Sequence, residues 1–332
     1  MILGDVFSNL GNQLFIYAAT KCIALDLGYD YRYRVVVPSF AKSDGAPDEF
    51  GHEYSSHFES AFNIDTRERV DAVPAEVGRD WEWIISPESN YDPSVYEVGD
   101  NTRLHGYFQS PRYFDHHREA VQRWFTPRPG IAQWAANRRQ DILERAGAQV
   151  LCGVHVRRGP DYKRWNRMLG AEYYLRALQL VAAEYGTERM AIALFTDVPR
   201  EARRLPGLAK GVFSGGTVNE DLCLMMRCDA LVVANSSLSW WGGWLGEQDR
   251  LIVRPSVWPL PEDADQAIDV CPDAWAAVKA ERDNWRPSVT SRSSRALAAA
   301  VRRGRRLLIW KSPCQEGRRD RPCRRQGTRS VW

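Results

Sequence analysis

Residues 219–246, NEDLCLMMRCDALVVANSSLSWWGGWLG, constrain the fold of this chain more than any other stretch. Leu222, Leu224, Met225 and Met226 follow an acidic start, Glu220-Asp221, which suits the N-terminus of a short helix with one apolar face. Ala230-Leu-Val-Val-Ala234 is an apolar run, β-branched at its centre, of the kind that forms a strand buried on both faces. Asn235, Ser236, Ser237 and Ser239 then gather an amide and three hydroxyls at the strand's end, just before Trp-Trp-Gly-Gly-Trp. Open parallel sheets bind ligands outside the carboxyl ends of their strands, where helix N-termini present free N–H groups. These four side chains can cap the next helix or hold a phosphate or a sugar hydroxyl.

A length of 332 residues, 44% hydrophobic with 13 Trp, suffices for two domains with real cores. The net charge of +3 conceals an asymmetry. Residues 291–332 carry 12 Arg and one Lys against Glu316 and Asp320, so the tail is strongly basic and the body mildly acidic. The seven Cys form no C-x-x-C pair and no Cys/His spacing for a metal, and Cys22, Cys152 and Cys223 sit in apolar runs as reduced core residues. The chain shows no basic-then-apolar leader and no run near the roughly 18 apolar residues of a membrane span. The expected location is the cytoplasm.

Along the chain, Leu10 to about Leu27 reads as a helix stopped by Gly28. Asn12 and Gln13 lie at its start, and Asn12 is either its N-cap or a ligand group. Met1-Ile-Leu3 is barely a strand, interrupted by Gly4-Asp5. Tyr31–Val37 and Arg103–Tyr107 read as strands, whereas residues 38–100 are irregular. His52 and His57 are five apart, not the four that set two zinc ligands on one helical face, and read as loop histidines. Thr126-Pro-Arg-Pro-Gly130 is the best linker signal. After it strands alternate with helices: a helix near 131–146, a strand at 149–155, a helix at 171–185, a strand at 190–196, a helix at 198–205, and strands at 212–213 and 250–254. That alternation implies right-handed crossovers and a parallel sheet. Residues 1–125 and 131–285 are thus expected as two α/β domains, the second Rossmann-like, followed by a basic tail at 291–332.

Two further polar groups stand at strand ends. Val154-His-Val-Arg-Arg-Gly-Pro-Asp-Tyr162 sets Arg157 and Arg158 beside a glycine, a combination suited to gripping a diphosphate and taking up the charge of a departing nucleotide. A surface ion pair is the competing reading. His155 is expected to face inward, orienting Asp161 or filling the core. Asp197 follows Ala191-Ile-Ala-Leu-Phe195 and can accept from guanine N1–H and N2–H₂ or cap a helix. No P-loop or dinucleotide fingerprint is present, and Asp263-Ala-Asp265 lies in a Pro-flanked loop away from any strand end.

LGNQLFIYA near the start, LHGYFQSPRYF near 110, HVRR-G-DY near 155, LFTD at 197 and the 219–246 stretch, in this order, resemble the bacterial-type α1,2-fucosyltransferases over about residues 8–260. The resemblance implies a GT-B-like fold, two Rossmann-like domains facing across a cleft. It implies metal-independent, inverting transfer of fucose from GDP-β-L-fucose to a glycan acceptor, usually the 2-hydroxyl of a terminal galactose, with no cofactor. By position, Arg157 and Arg158 would hold the phosphates, with His155 and Asp161 shaping the turn. Asp197, Asp221 and Asn235–Ser239 would surround the nucleotide, and Asn12 and Gln13 would reach across the cleft. The family motif usually runs Gly-Asp-Tyr, whereas Pro160 here displaces the Asp by one position. The acceptor expected is a glycan built on a lipid at the inner face of the membrane, where the basic tail would make peripheral contact with anionic lipid. The rival readings are a catalytically silent sugar or nucleotide binder that stacks sugars on its tryptophans, and a transferase of another nucleotide sugar. Nucleic acid is not expected, because the body lacks a basic face.

Overall fold

The computed structural model describes residues 1–36, 57–72, 83–86, 91–256, 258 and 269–281. His52, the side chain of His57, Asp263-Ala-Asp265 and the basic tail at 291–332 lie outside the described residues. The rest is an α/β fold with two sheets, each parallel at every described pairing. The first contains β1 (Ile2–Val6), β2 (Tyr31–Val35), β3 (Trp83–Ser86) and β4 (Thr102–Gly106), ordered β2-β1-β4-β3. Its helices are α1 (Leu10–Leu27), α2 (His57–Ala61) and α3 (Arg118–Trp124). Helix α4 (Pro129–Ala146) leads into the second sheet. There β5 (Val150–Val156) is followed by α5 (Pro160–Arg164), α6 (Ala171–Tyr185), β6 (Met190–Thr196), α7 (Pro199–Ala202) and β7 (Val212–Phe213). Then come α8 (Val218–Met226), β8 (Ala230–Val232), α9 (Ser237–Leu245), β9 (Leu251–Pro255) and β10 (Ala276–Val278).

The second sheet is ordered β10-β9-β8-β5-β6-β7. The chain builds outward from β5 to β7, returns, and builds outward the other way from β8 to β10. The order therefore reverses between β5 and β8, and a doubly wound sheet opens its ligand crevice at that reversal.

Several boundaries differ from the sequence reading. Gly4 and Asp5 do not interrupt the first strand, and Asp5 is 0% exposed within it. Burial alone would raise its carboxyl, but hydrogen bonds from His105 and Arg103 hold it below its usual value. Arg103 Nε and Nη2 stand 2.9 and 2.5 Å from Asp5 Oδ2, and Arg34 Nη2 is 3.1 Å from Oδ1. The 126–130 segment is tied down on both sides of its prolines. Arg128 N–H donates to the Ala61 carbonyl, its guanidinium donates to the Glu59 carbonyl, and Pro129 opens α4.

The three tryptophans of α9 are 0–2% exposed. They pack with Phe15 of α1 and with Phe114 and Phe125, the Phe114 and Trp241 rings stacked at 5.3 Å. Each indole N–H is spent on a different segment: Trp240 on the Val270 carbonyl, Trp241 on the Gly11 carbonyl, Trp244 on Asp115. One aromatic cluster thus joins helices belonging to both sheets. Among the described residues no helix is long and apolar enough to cross a membrane.

Candidate functional site

Strand β5 ends at Val156, and the next residue, Arg157, turns its guanidinium between two carboxylates. Nη1 lies 2.5 Å from Asp197 Oδ2, and Nη2 lies 2.7 Å from Asp161 Oδ2. Burial opposes the charge, but Asp197 and then Asp161 outweigh it and raise the guanidinium's pKa. Asp161 reaches Arg157 although Pro160 precedes it. Pro160 occupies the first position of α5, where its fixed φ and missing N–H do no harm, and Asp161 falls at i+4 from Arg157. Gly159 is required for close approach. A Cβ there would strike the Asp197 carboxylate and come within 2.9 Å of Asp161 Oδ1.

Arg158 is directed elsewhere. It is 7% exposed, its Nη1 donates to the Leu169 carbonyl at 3.2 Å, and its Nε faces Glu201 at 3.6 Å. Its backbone N–H joins the Arg157 group, donating to Asp197 Oδ1 at 3.1 Å. His155 is 5% exposed within β5, and its Nδ1 makes no hydrogen bond. Burial, helped by the Arg157 charge, pushes its pKa down to about 3, so it is neutral near pH 7.

The loop after β8 is stapled to this turn across the strand-order reversal. Tyr162 O–H donates to the Asn235 carbonyl at 2.8 Å, and Asn235 Nδ2 donates to the Arg167 carbonyl at 2.9 Å. Tyr162 also lies under the Arg157 guanidinium, 5.2 Å from centroid to Cζ. Ser239 is 0% exposed, and its hydroxyl turns back to the Ala234 and Ser236 carbonyls. Of the four polar residues, only Ser236 and Ser237 are partly exposed. Ser236 is the N-cap of α9 but makes no side-chain cap.

The N-terminus of α1 meets the same place. A Cβ on Gly11 would come within 2.5 Å of the Leu238 backbone nitrogen and 2.6 Å of Ser237 Oγ. The cap of α1 is Asn9, not Asn12, and it too makes no side-chain cap. Two helix N-termini, neither capped by its own side chain, therefore converge, and their positive ends favour an anion. Asn12 Nδ2 donates to Ser8 Oγ at 2.9 Å, and Gln109 Nε2 donates to Asn12 Oδ1 at 2.8 Å. Ser8 holds φ 71° and Phe108 φ 49°, both left-handed, at the loops after β1 and β4. Gln13 is 1% exposed and serves the loop, donating to the Ser8 carbonyl and accepting from Phe58 N–H.

Asp221 lies in the first turn of α8, behind a capping box formed by Thr217 and Glu220. Burial raises its pKa to about 7 despite hydrogen bonds from Ser214 and the Gly216 backbone. The structure thus brings Arg157, Asp161 and Asp197 into one group and ties Asn235 to it. It turns Arg158, His155, Gln13 and Ser239 inward. Tyr162, Ser8 and Gln109 join the candidate site by hydrogen bonds and were not singled out from the sequence. Tyr162 and Gln109 carried a signal, the first beside Asp161 in the arginine motif and the second within LHGYFQSPRYF, whereas Ser8 carried none. The tryptophan rings, buried by one another, offer no platform for a sugar.

The sequence model of Glycosyl transferase family 11 matches residues 87–276. An Escherichia coli alpha-1,2-colitosyltransferase is 25% identical over 190 residues, covering 52% of this chain and 61% of that protein. The O-antigen biosynthesis glycosyltransferase WbnK of Escherichia coli is 26% identical over 194 residues, covering 52% and 63%. The chain therefore spans less than two thirds of the length of these relatives. Among solved structures, the fucosyltransferase NodZ from Bradyrhizobium is similar at a TM-score of 0.47 and 14% identity, over 74% of this chain and 93% of NodZ. POFUT1 in complex with GDP is similar at 0.47 and 12%, over 76% and 97%. With the family's sequence model spanning more than half of the chain, from before β4 into β10 and across the Arg157 turn, this protein belongs to glycosyl transferase family 11.

Proposed function

We propose that this chain transfers L-fucose, or a close 6-deoxy relative, from its GDP-activated form to a glycan hydroxyl, most readily the 2-hydroxyl of a terminal galactose. The observation that carries the proposal is Arg157 between Asp161 and Asp197 at the reversal of the second sheet, in a structure where two uncapped helix N-termini also converge. A nucleoside diphosphate fits this charge pattern. Arg157 and the helix N–H groups take the phosphate charge, and Asp197 is available to the guanine edge once phosphate replaces it as the partner of Arg157. In this reading the second sheet holds the donor and the first holds the acceptor, as in a GT-B arrangement. The acceptor hydroxyl attacks C1 opposite GDP through an oxocarbenium-like state, and inversion follows from the single displacement. Arg157 stabilises the leaving diphosphate most when its charge is fully developed. The chain's own residues supply this electrostatic work, and the reading requires no metal or cofactor.

The colitosyltransferase relative makes the donor sugar the open variable, since colitose is L-fucose without its 3-hydroxyl. Nucleotide release should be measured with GDP-fucose, GDP-colitose, GDP-mannose and UDP-galactose, with a β-galactoside present. Turnover confined to the two GDP-linked L-sugars is expected, and preference for UDP-galactose overturns the guanine reading. Arg157→Ala should lower turnover by about 10²–10³-fold while leaving the fold intact, and a near wild-type rate rejects the site. We further propose that the protein works in the cytoplasm, where the basic tail at 291–332 contacts anionic membrane beside a lipid-linked acceptor. Equal liposome sedimentation with and without the tail rejects that contact.

A further inference from the structure

The last turn of α1 carries Asp26, and no basic residue shares that turn. A carboxylate there faces the negative end of the helix dipole, an unfavourable placement that a cation would reverse. Two imidazoles close on it from the 3₁₀ turn Asp115–His117. His116 Nε2 lies 2.8 Å from Asp26 Oδ2, and His117 Nε2 lies 2.7 Å from Oδ1. Successive residues of a 3₁₀ turn point roughly 120° apart, yet these two rings converge to 4.4 Å between centroids. Donor atoms of the three residues all lie within 4.8 Å of one another.

We propose that Asp26, His116 and His117 form a three-ligand site for a borderline transition metal, with Zn²⁺ as the reference ion. Two imidazole nitrogens and one carboxylate oxygen are the donor set of such ions and are ill suited to Ca²⁺ or Mg²⁺, which prefer six or more oxygens. Bonds of about 2.0–2.1 Å in a tetrahedron set ligand separations of roughly 3.3 Å, so the present contacts need to open only slightly. Both rings are partly exposed, and water can supply the fourth ligand.

The site has a structural consequence. Asp115 of the same turn accepts from Trp244 Nε1 and from Arg118, and Phe114 stacks on Trp241. The turn is thus already fastened to α9 and hydrogen-bonded to α1 through Asp26, and a metal would strengthen the second tie, clamping helices that belong to the two sheets. Sixteen residues of helix, about 24 Å, separate Asp26 from the start of α1, so the clamp stands apart from the transfer chemistry.

The test uses the full chain, stripped with a chelator and titrated with ZnCl₂ by calorimetry and thermal unfolding. One equivalent of Zn²⁺ should bind at micromolar or better affinity and raise the unfolding midpoint by several degrees. The double substitution His116→Ala, His117→Ala should abolish both effects and leave nucleotide release unchanged. Absence of submillimolar binding, binding that survives the double substitution, or equal stabilisation by Ca²⁺ would overturn the assignment. Should the double variant fail to fold, the Co²⁺-loaded wild type decides. Visible bands without thiolate charge transfer support the site, and a thiolate band overturns it.

Discussion

Arg157 and Arg158 are neighbours in sequence with opposite fates, because successive side chains leaving a strand point to opposite sides. Arg157 faces the carboxylates at the crevice, whereas Arg158 is buried against Leu169 and Glu201. Arg158→Ala is therefore expected to act on stability, costing roughly 1–3 kcal/mol and lowering the unfolding midpoint, while the donor KM of the folded enzyme changes little. Thermal unfolding beside steady-state kinetics separates the two effects. His155 makes a different prediction. Its folded pKa is near 3 and its ordinary value is 6.5, so between these the unfolded chain binds the extra proton. Its contribution is complete above pH 6.5 and is lost as pH falls toward 3, at about 1.4 kcal/mol per pH unit. His155→Gln should flatten this acid limb in urea unfolding followed against pH. A limb of unchanged slope would contradict the burial argument.

Elements whose pattern is local were legible from the sequence, and those made by distant partners were not. Helices α1 and α6 and strand β6 lie where their apolar periodicity placed them. Strand β1 looked broken because Asp5 seemed too polar, yet its partners are Arg34, Arg103 and His105, 29 to 100 residues away. Strand β10 is three residues long and is defined by its pairing with β9, which leaves no pattern to read. At the candidate site, the placement of Arg157 and Asp197 just beyond β5 and β6 was legible because a polar residue ending an apolar strand lies at a sheet's open edge. The inward turn of Ser239 was not, because it depends on where the Ala234 and Ser236 carbonyls come to lie. The contact between α1 and α9 was equally hidden, since Gly11 shows its purpose only against Ser237 and Leu238. Gly11→Ala would press a methyl on that backbone and should destabilise by about 1–3 kcal/mol, weakening donor binding as the two helix ends separate. Unchanged donor affinity and midpoint would show that the contact yields freely.

At the scale of the molecule, Met1–Asn284 forms one compact unit. Its largest apolar cluster draws Phe15, Phe114 and Phe125 together with Trp240, Trp241 and Trp244. The halves on either side of Thr126 therefore share a core, and each would expose aromatic surface if parted. Calorimetry should show a single cooperative transition for this unit, and two resolved transitions would mean that the halves fold independently.

The same cluster makes the protein its own optical reporter. Indoles whose centroids lie 5.0–6.1 Å apart, shielded from water and bound through their N–H groups to three segments, should couple electronically and emit to the blue of the exposed Trp165. A near-ultraviolet dichroism band from this trio will persist while α1, α9 and the Asp115 turn remain assembled. Its loss will mark their separation, with no label needed to follow it.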